Sequence, residues 1–324
     1  MHIVTLVLFL VVDTCQSCPN LQLKPIGGAD IDHPLRLPAL SYGEASIIRV
    51  IALNDSSVPF RLNATVELVS LNDDMSASVL AILAESINCA DPPPYIRMDR
   101  NVYDNVATKV SDGALIHLQV RSGNATTARV PMIVSSPEIL ENAKWVGGFN
   151  ALRGYTKWQT TQSAVKYATL QFTAVGCASI FVNGHRVSNP MMPGWAHVPE
   201  VRWPVEAFDV TSIASRAQAN STGLVIAAYL GKCMWGYRDW DCIEGDNPKA
   251  CQALRGVLTI GYQDGSKQVL ETAAGDPAWL GTASPIVFND LFDGEVWDQQ
   301  RDHDLTGWMV PGALPAPPTG GGFL

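Results

Sequence analysis

An alternating apolar pattern that ends in an Asn-Gly turn is the strongest constraint on how this chain folds. Residues 168–174 alternate apolar with Thr and Gln, which is the period of a strand with one buried face. After Gly176, the pattern continues from Ala178 to Val182 and meets Asn183-Gly184. Both positions of a type I′ turn need positive φ, and Asn-Gly is favoured there. The segment therefore predicts a β-hairpin in an antiparallel sheet.

The neighbouring segments extend this sheet into a sandwich. Leu224–Leu230 is continuously apolar, which predicts a strand buried on both faces. Two further strands, Val257–Tyr262 and Lys267–Glu271, flank Asp264-Gly265 and predict a second hairpin. We therefore expect residues 139–312 to form a jelly-roll β-sandwich.

The first part of the chain, residues 18–138, has the pattern of an immunoglobulin-like or fibronectin III-like sandwich. Short Val-, Ile- and Leu-rich runs alternate there with turn residues. The run Ser78–Ser86 is too short to decide between a helix and a buried strand. Ser135–Glu138 is the predicted linker, and the Pro- and Gly-rich residues 313–324 read as a linker tail. The predicted fold class is all-β. The predicted strands are 46–53, 64–71, 114–120 and 128–134.

Composition narrows the function classes. Hydrophobic residues make up 47% and charged residues 16%, which is typical of a globular protein. The net charge of -9 argues against a nucleic-acid partner, which favours a basic face. The sequence contains no zinc-type H-x-x-x-H, nucleophile elbow or Walker A loop.

The amino-terminal residues predict a secretory signal peptide over 1–17. Ile3–Val12 is apolar at every position but Thr5, and polar and small residues follow up to Ser17. A buried first strand is the alternative interpretation. The run is too short to span a bilayer, and no later run is long enough, so no membrane span is expected.

Sequons and cysteines agree with an extracellular location. Cleavage after Ser17 removes Cys15 and leaves six cysteines, for which 15 pairings exist. A Cys18–Cys89 bridge and a local bridge among the three late cysteines are both open. For Cys177, a disulfide and a buried free thiol are both open. The predicted N-glycosylation sites are Asn54, Asn63, Asn124 and Asn220.

Residues 139–312 resemble a known protein family through an ordered set of short motifs. The resemblance is to the N-terminal accessory module of α-L-rhamnosidases, glycoside hydrolase family 78. It covers about 170 residues, and the ordered set is specific although each motif alone is weak. The motifs are Lys144–Gly148, Ala168–Ala174, Ile180–Val187, Pro193–Trp195, Phe208–Thr211, Leu230-Gly231 with Trp235, Gly261–Ser266 and Pro285–Glu295.

The resemblance implies a fold and a role. In this family a large helical (α/α) toroid supplies the catalytic acids, and we expect this chain to lack it because no repeated helical periodicity is present. The chain departs from the family at Trp297-Asp298, where a Tyr-Asp-Ala-Arg-like stretch is usual. The expected function is the non-catalytic N-terminal part of a secreted rhamnosidase-like hydrolase that supports or binds rhamnose-containing carbohydrate. A stand-alone lectin-like protein and a cell-surface adhesion module are the alternatives.

An acidic stretch near the carboxyl end is the one candidate for hydrolytic chemistry. On one strand, Asp293 and Glu295 would lie about 7 Å apart, a separation compatible with an inverting pair of carboxylates. A solvated Asp-Gly loop is the favoured interpretation, because the resemblance places the stretch in the accessory module. We therefore predict no catalytic residue.

Calcium is the second interpretation of these acids. Carboxylate oxygens suit this cation, and Asp290, Asp293 and Glu295 are the candidate ligands. Sugar-binding modules that resemble this one hold rhamnose through calcium with an Asp-Asn pair. The nearest equivalent here, Ser188-Asn189, lacks the acid.

Aromatic side chains are the better sign of sugar contact, because apolar sugar faces stack on rings. The segment Trp235–Asp241 mixes rings with charged side chains that suit hydroxyl groups. The alternative is that these rings close the ends of the sandwich. The predicted carbohydrate contacts are Asn189, Trp195, Trp235, Tyr237, Arg238, Asp239 and Trp240.

Overall fold

The chain is all-β, and its described residues divide into two compact units between Ser136 and Pro137. Two α-helices occur in the part of the chain that the structure describes, and neither is long and apolar enough to cross a membrane. The structure is a computed structural model. It describes residues 6–15, 18–24, 39–41, 46–53, 60–62, 65–72, 76–84, 87–89, 95–98, 100–122, 125–147, 149, 151–156, 163–188, 205–231, 252–290, 294–301 and 307–311.

The first unit contains two sheets and a short strand pair. The sheets have the strand orders β2-β1-β4-β9 and β3-β11-β10-β6-β7, and β5 pairs with β8. The elements are β1 (Leu6–Cys15), β2 (Cys18–Lys24), β3 (Ala39–Ser41), β4 (Ser46–Leu53), β5 (Phe60–Leu62), β6 (Thr65–Leu71), β7 (Ala77–Ala84), β8 (Ile87–Cys89), β9 (Tyr95–Met98), α1 (Arg100–Ala107), β10 (Leu115–Ser122) and β11 (Ala125–Ser135).

The run predicted as a signal peptide forms strand β1. It pairs antiparallel with β2 and parallel with β4, where Leu6 is opposite Ile48. This is the alternative that the apolar run left open, and cleavage after Ser17 remains a prediction.

The four strands predicted in the first unit are present as β4, β6, β10 and β11. The undecided run at 78–86 is the edge strand β7, and it is a strand rather than a helix. Val79 and Ile82 on this strand are exposed.

The second unit is a sandwich of two five-stranded sheets. One has the order β12-β19-β14-β17 with β20 beside β19, and the other has the order β16-β15-β18-β13-β21. A 3₁₀ turn at Pro137–Leu140 precedes them. The elements are β12 (Val146–Gly147), β13 (Ala151–Thr156), β14 (Val165–Val175), β15 (Cys177–Val182), β16 (His185–Arg186), β17 (Glu206–Asp209), α2 (Thr211–Ala219), β18 (Leu224–Gly231), β19 (Ala253–Tyr262), β20 (Lys267–Glu271), β21 (Trp279–Thr282), β22 (Ile286–Asp290) and β23 (Gly294–Trp297).

The core of this unit lies between the two sheets. Phe172 of β14 stacks on Phe208 of β17 with ring centroids 5.9 Å apart. Trp279 enters from β21, and its indole Nε1 donates to the carbonyl oxygen of Glu271 at 2.8 Å. Since buried rings of this size dominate core energetics, these three side chains fix the packing of the sheets.

Both predicted hairpins of the second unit are confirmed. Strands β15 and β16 pair through Val182 and His185, and β19 and β20 pair through Gly261 and Lys267. In the second turn, hydrogen bonds from Ser266 are the main cause that lowers the pKa of Asp264.

Burial on two strands is the reverse of the prediction. Strand β14 buries both faces, since its polar residues Thr169, Gln171 and Thr173 are at most 1% exposed. Strand β18 instead alternates between buried and half-buried residues. The half-buried face carries Tyr229, whose ring meets Phe181 edge-on at 6.0 Å. Periodicity reports the polarity of a face, whereas burial depends on the tertiary packing over it.

The motif Phe208–Thr211 covers the end of a strand and the start of a helix, since β17 ends at Asp209. Helix α2 begins at Thr211, whose backbone N–H donates to the Asp209 carboxylate at 2.9 Å. Ile213, Ala214 and Ala217 are its buried residues, with the spacing of one helix face.

Candidate functional site

The β15–β16 hairpin is fastened to the core by its turn. Asn183 has φ 48° and Gly184 φ 80°, as a type I′ turn requires. The Asn183 side chain accepts from the N–H of Val225 at 2.7 Å and donates to the Gly223 carbonyl at 3.2 Å. These bonds join the turn to the start of β18, so this family motif has a structural role.

Ser188, the first residue of the candidate calcium-binding pair, is also structural. It is buried, and its hydroxyl accepts from the N–H of Ile180 at 2.8 Å and donates to the Ala178 carbonyl at 3.3 Å. A hydroxyl engaged in both ways inside the sheet is a poor ligand for a cation. Asn189, the second residue of the pair, lies outside the described residues.

The predicted sugar-contacting side chains remain predictions. They lie outside the residues that the structure describes, and so do three of the four sequons. Asn220 is described: it follows α2 and is exposed, as are Ser221 and Thr222. The sequence-predicted residues outside the description are Asn189, Trp195, Trp235, Tyr237, Arg238, Asp239, Trp240, Asp293, Asn54, Asn63 and Asn124.

Cys177 is buried, and the disulfide considered for it stays a prediction. It lies at the start of β15, opposite Gly231 at the end of β18.

The acidic stretch falls on a separate two-stranded sheet, the β22–β23 hairpin. In its register Asp290 is opposite Gly294, and Glu295 is opposite Asn289. The backbone therefore does not place positions 290 and 295 opposite each other. Within the described ranges, no group of three or more His, Cys, Asp or Glu side chains is arranged to hold a metal ion.

Apolar side chains on the same hairpin were missed by the sequence reasoning. Phe288 pairs with Val296 across the strands, and the two are 41% and 52% exposed. Trp297, paired with Ile286, is 46% exposed. The sequence does contain a signal for them, because apolar residues recur in both short strands on either side of the acidic residues. Six of the ten exposed large hydrophobic residues in the described part lie between Val287 and Val310.

The base of the β22–β23 hairpin is firmly held. The N–H of Asp298 donates to the Pro285 carbonyl at 2.8 Å. Ser284 is buried, and its hydroxyl oxygen accepts from the N–H of Ile286 at 3.0 Å. The exposed apolar side chains are thus presented from an anchored base.

A small cavity between the two sheets of the second unit is a packing gap rather than a site. Its lining is apolar except for Thr272 and the backbone, and it includes Phe172, Ile226 and Trp279. The Thr272 hydroxyl already donates to the Lys144 carbonyl and accepts from the N–H of Gly256. A ligand would find none of the convergent polar groups that fix orientation.

Comparison with known proteins assigns the second unit. Residues 163–314 match the model of the α-L-rhamnosidase N-terminal domain. The chain is 32% identical over 152 residues to an α-L-rhamnosidase of Streptomyces avermitilis and 30% identical over 138 residues to one of Formosa agariphila. These alignments cover 46% and 41% of this chain, but only 13% and 14% of the relatives.

Solved structures agree on the fold. The α-L-rhamnosidase from Dictyoglumus thermophilum superposes with a TM-score of 0.58 at 15% identity, over 89% of this chain and 34% of that one. The enzyme from Aspergillus terreus gives a TM-score of 0.56 at 17% identity, over 90% of this chain and 34% of that one. The chain therefore carries, over residues 163–314, the N-terminal domain of the α-L-rhamnosidase family.

Proposed function

We propose that this chain is the non-catalytic N-terminal portion of a secreted α-L-rhamnosidase-like glycoside hydrolase, and that it supports or binds rhamnose-containing carbohydrate. The observation that carries the proposal is the match of residues 163–314 to the rhamnosidase N-terminal domain. The relatives' activity belongs to polypeptides of which this chain spans about one seventh.

The geometry of the acids supports a non-catalytic role. Glycoside hydrolysis needs two carboxyl groups held on either side of the scissile bond. Glu295 is exposed on β23 and opposite Asn289, not opposite another acid. An exposed carboxylate on a two-stranded sheet lacks the enclosed setting in which such acids work.

An assay of the 324-residue chain with an aryl α-L-rhamnoside tests this role. The expected result is no turnover above that of the buffer. Turnover that disappears on Asp293→Asn or Glu295→Gln, but survives Asp276→Asn in the same unit, would assign catalysis to this chain and overturn the proposal.

Carbohydrate binding is tested separately on a glycan array, with calcium and with a chelator. Binding of rhamnose-containing glycans that is lost in Trp235→Ala and Trp240→Ala supports the binding role. Binding that requires calcium supports the metal interpretation of Asp290, Asp293 and Glu295. If no glycan binds in either condition, the role reduces to support of a hydrolase.

Secretion is tested by expression in a eukaryotic secretory host. We expect a mature protein that begins at Cys18 and a mobility shift on deglycosylation. Asn220→Gln is expected to remove one glycan, because Asn220 is exposed after α2. A purified protein that keeps residues 1–17 would favour β1 as a permanent strand and contradict the signal-peptide prediction.

A further inference from the structure

Strands β14 and β15 are one stretch of chain that passes from one sheet of the second unit to the other. Strand β14 ends at Val175, Gly176 has φ 82°, and β15 begins at Cys177. Glycine adopts such a positive φ without steric cost, so the change of sheet occurs at a residue suited to it. Cys177 is therefore the first residue after the bend, and it is only 8% exposed.

The end of β18 and the start of β19 meet at the same bend. Gly231, the last residue of β18, lies opposite Cys177. Ala253, the first residue of β19, pairs with the last residue of β14. The side-chain amide of Gln252 donates to the carbonyl oxygen of Leu230 at 3.2 Å. The two ends of the chain between β18 and β19 therefore lie close to each other and to Cys177.

The chain between these two strands carries three cysteines. We call them the late cysteines: Cys233, Cys242 and Cys251. They lie outside the described residues. Cys233 follows Gly231 by two residues, and Cys251 precedes Ala253 by two. Bonded cysteines have Cα atoms within about 7 Å of each other, and extended chain spans roughly 3.3 Å per residue. Cys233 and Cys251 are thus tethered near Cys177, whereas Cys242 is in the middle of the segment.

The number of cysteines points to the same partner. After removal of residues 1–17, six cysteines remain, of which two precede the boundary between the units and four follow it. Three late cysteines cannot all pair among themselves, so complete pairing requires one partner from elsewhere. Cys177 is the only cysteine of the second unit outside the segment.

We infer that Cys177 forms a disulfide with Cys233 or Cys251, and that the two remaining late cysteines pair with each other. This inference rests on the proposed function, since secretory compartments are oxidising. In each bond, two thiols give two electrons and two protons to a disulfide acceptor, which is reduced to two thiols. The bond attaches the segment that carries the predicted sugar contacts Trp235 and Trp240 to the start of β15.

Peptide mapping of the full chain, purified from a secretory host, tests the pairing. The protein is denatured without reductant, alkylated, digested with trypsin and analysed by mass spectrometry before and after reduction. Cleavage sites at Lys232, Arg238 and Lys249 place each late cysteine in a peptide of its own. We expect the Cys177 peptide to be linked to that of Cys233 or Cys251. Alkylated Cys177, or a bond from it to Cys242 or to the first unit, would overturn the inference.

Cys177→Val separates the disulfide from ordinary packing, because valine fills a buried site much as a free thiol does. Under oxidising conditions the variant should unfold at a temperature lower by roughly 5–10 °C than the natural protein. It should also carry one thiol that is alkylated after denaturation. With dithiothreitol the two proteins should unfold at the same temperature. Equal unfolding temperatures under oxidising conditions would show that Cys177 is an unpaired, packed thiol.

Thr173→Val is the matched control, since Thr173 is a fully buried position on β14. Its unfolding temperature relative to the natural protein should not depend on the reductant. The pairing is also measured on the chain refolded with reduced and oxidised glutathione, where neither secretion nor carbohydrate binding has a part. A secreted protein that keeps residues 1–17 contradicts the proposed processing but not the bond of Cys177, so the two proposals fail independently.

Discussion

The β15–β16 and β22–β23 hairpins are built alike but bury very different amounts of apolar surface. In the first, Ile180 and Val182 have no exposed surface, and the turn is hydrogen-bonded to β18. In the second, Phe288 and Val296 stay largely exposed above an anchored base. Apolar content alone therefore does not separate a strand that builds the core from one whose side chains stay exposed.

The largest expected contrast is between two truncations to alanine. Ile180→Ala should lower the free energy of unfolding by roughly 2–5 kcal/mol, because it opens a cavity between the packed sheets. Val296→Ala should change it by less than about 0.5 kcal/mol, because the side chain is mainly in water. Urea unfolding followed by fluorescence measures both. Equal losses in the two variants would mean that the β22–β23 hairpin is part of the core.

The two turns provide a second comparison. Asn183→Ala should cost about 2 kcal/mol, because it combines positive φ with the loss of the bonds to Val225 and Gly223. Asn183→Gly keeps the turn geometry and should cost about 1 kcal/mol.

Gly294→Ala is the matching change in the other hairpin. Gly294 has φ 89°, and an added Cβ would meet no atom within 4 Å, so backbone strain is the whole effect. We expect faster hydrogen exchange in β22 and β23, and an unchanged midpoint of urea unfolding for the sandwich of the second unit. A lowered midpoint for Gly294→Ala, of the size seen for Asn183→Ala, would contradict the separation of the two hairpins.

A smaller effect on the free energy of unfolding is expected at alkaline pH, and it comes from Tyr262 in the second unit. Burial, assisted by the charge of Asp264, raises the pKa of Tyr262 to about 12. An unfolded tyrosine titrates near 10, so the neutral phenol stabilises the fold below about pH 10 and this stability is lost as the pH rises to about 12. The Tyr262 hydroxyl donates to the Gln268 side chain at 2.8 Å.

Tyr262→Phe isolates this contribution. The stability advantage of the natural protein over the variant should shrink between pH 9 and pH 12, as measured by urea unfolding at each pH. Parallel losses in the two proteins would exclude Tyr262 as the titrating group.

The smallest effect is expected beside the β22–β23 hairpin. Arg301 lies 3.3 Å from the Asp298 carboxylate, but the side chains are 51% and 37% exposed. Arg301→Ala should therefore cost less than about 0.5 kcal/mol, and added salt should remove the difference. A larger loss would show that the base of the hairpin depends on this ion pair as well as on its backbone bonds.

Much of the local structure could be predicted from the sequence. Asn183-Gly184 and Asp264-Gly265 both lie in the expected turns, where Asn183, Gly184 and Gly265 adopt the positive φ that Asn and Gly tolerate better than other residues. The apolar runs at 46–53 and 128–134 lie in strands β4 and β11, because their Val and Ile residues favour the extended backbone of a strand. Helix α2 was missed, since its nine residues carry a weak pattern directly after a strand.

Burial could not be predicted in the same way. The alternating strand β14 is buried on both faces, and the apolar strand β18 is not. The candidate site shows the same limit: Ser188 was considered for its place beside Asn189, but its hydroxyl is used inside the sheet. These outcomes depend on contacts between residues far apart in the chain.

The sequence by itself determined the all-β class, the hairpin turns and the family of residues 163–314, because backbone preferences and motif order are encoded locally. The tertiary structure decided which faces are covered. It enclosed the polar face of β14 and left Phe288, Val296 and Trp297 of the β22–β23 hairpin exposed. The physical reason is that solvent exposure is a property of the packed chain: it depends on which distant segments meet, and short-range periodicity does not contain that information.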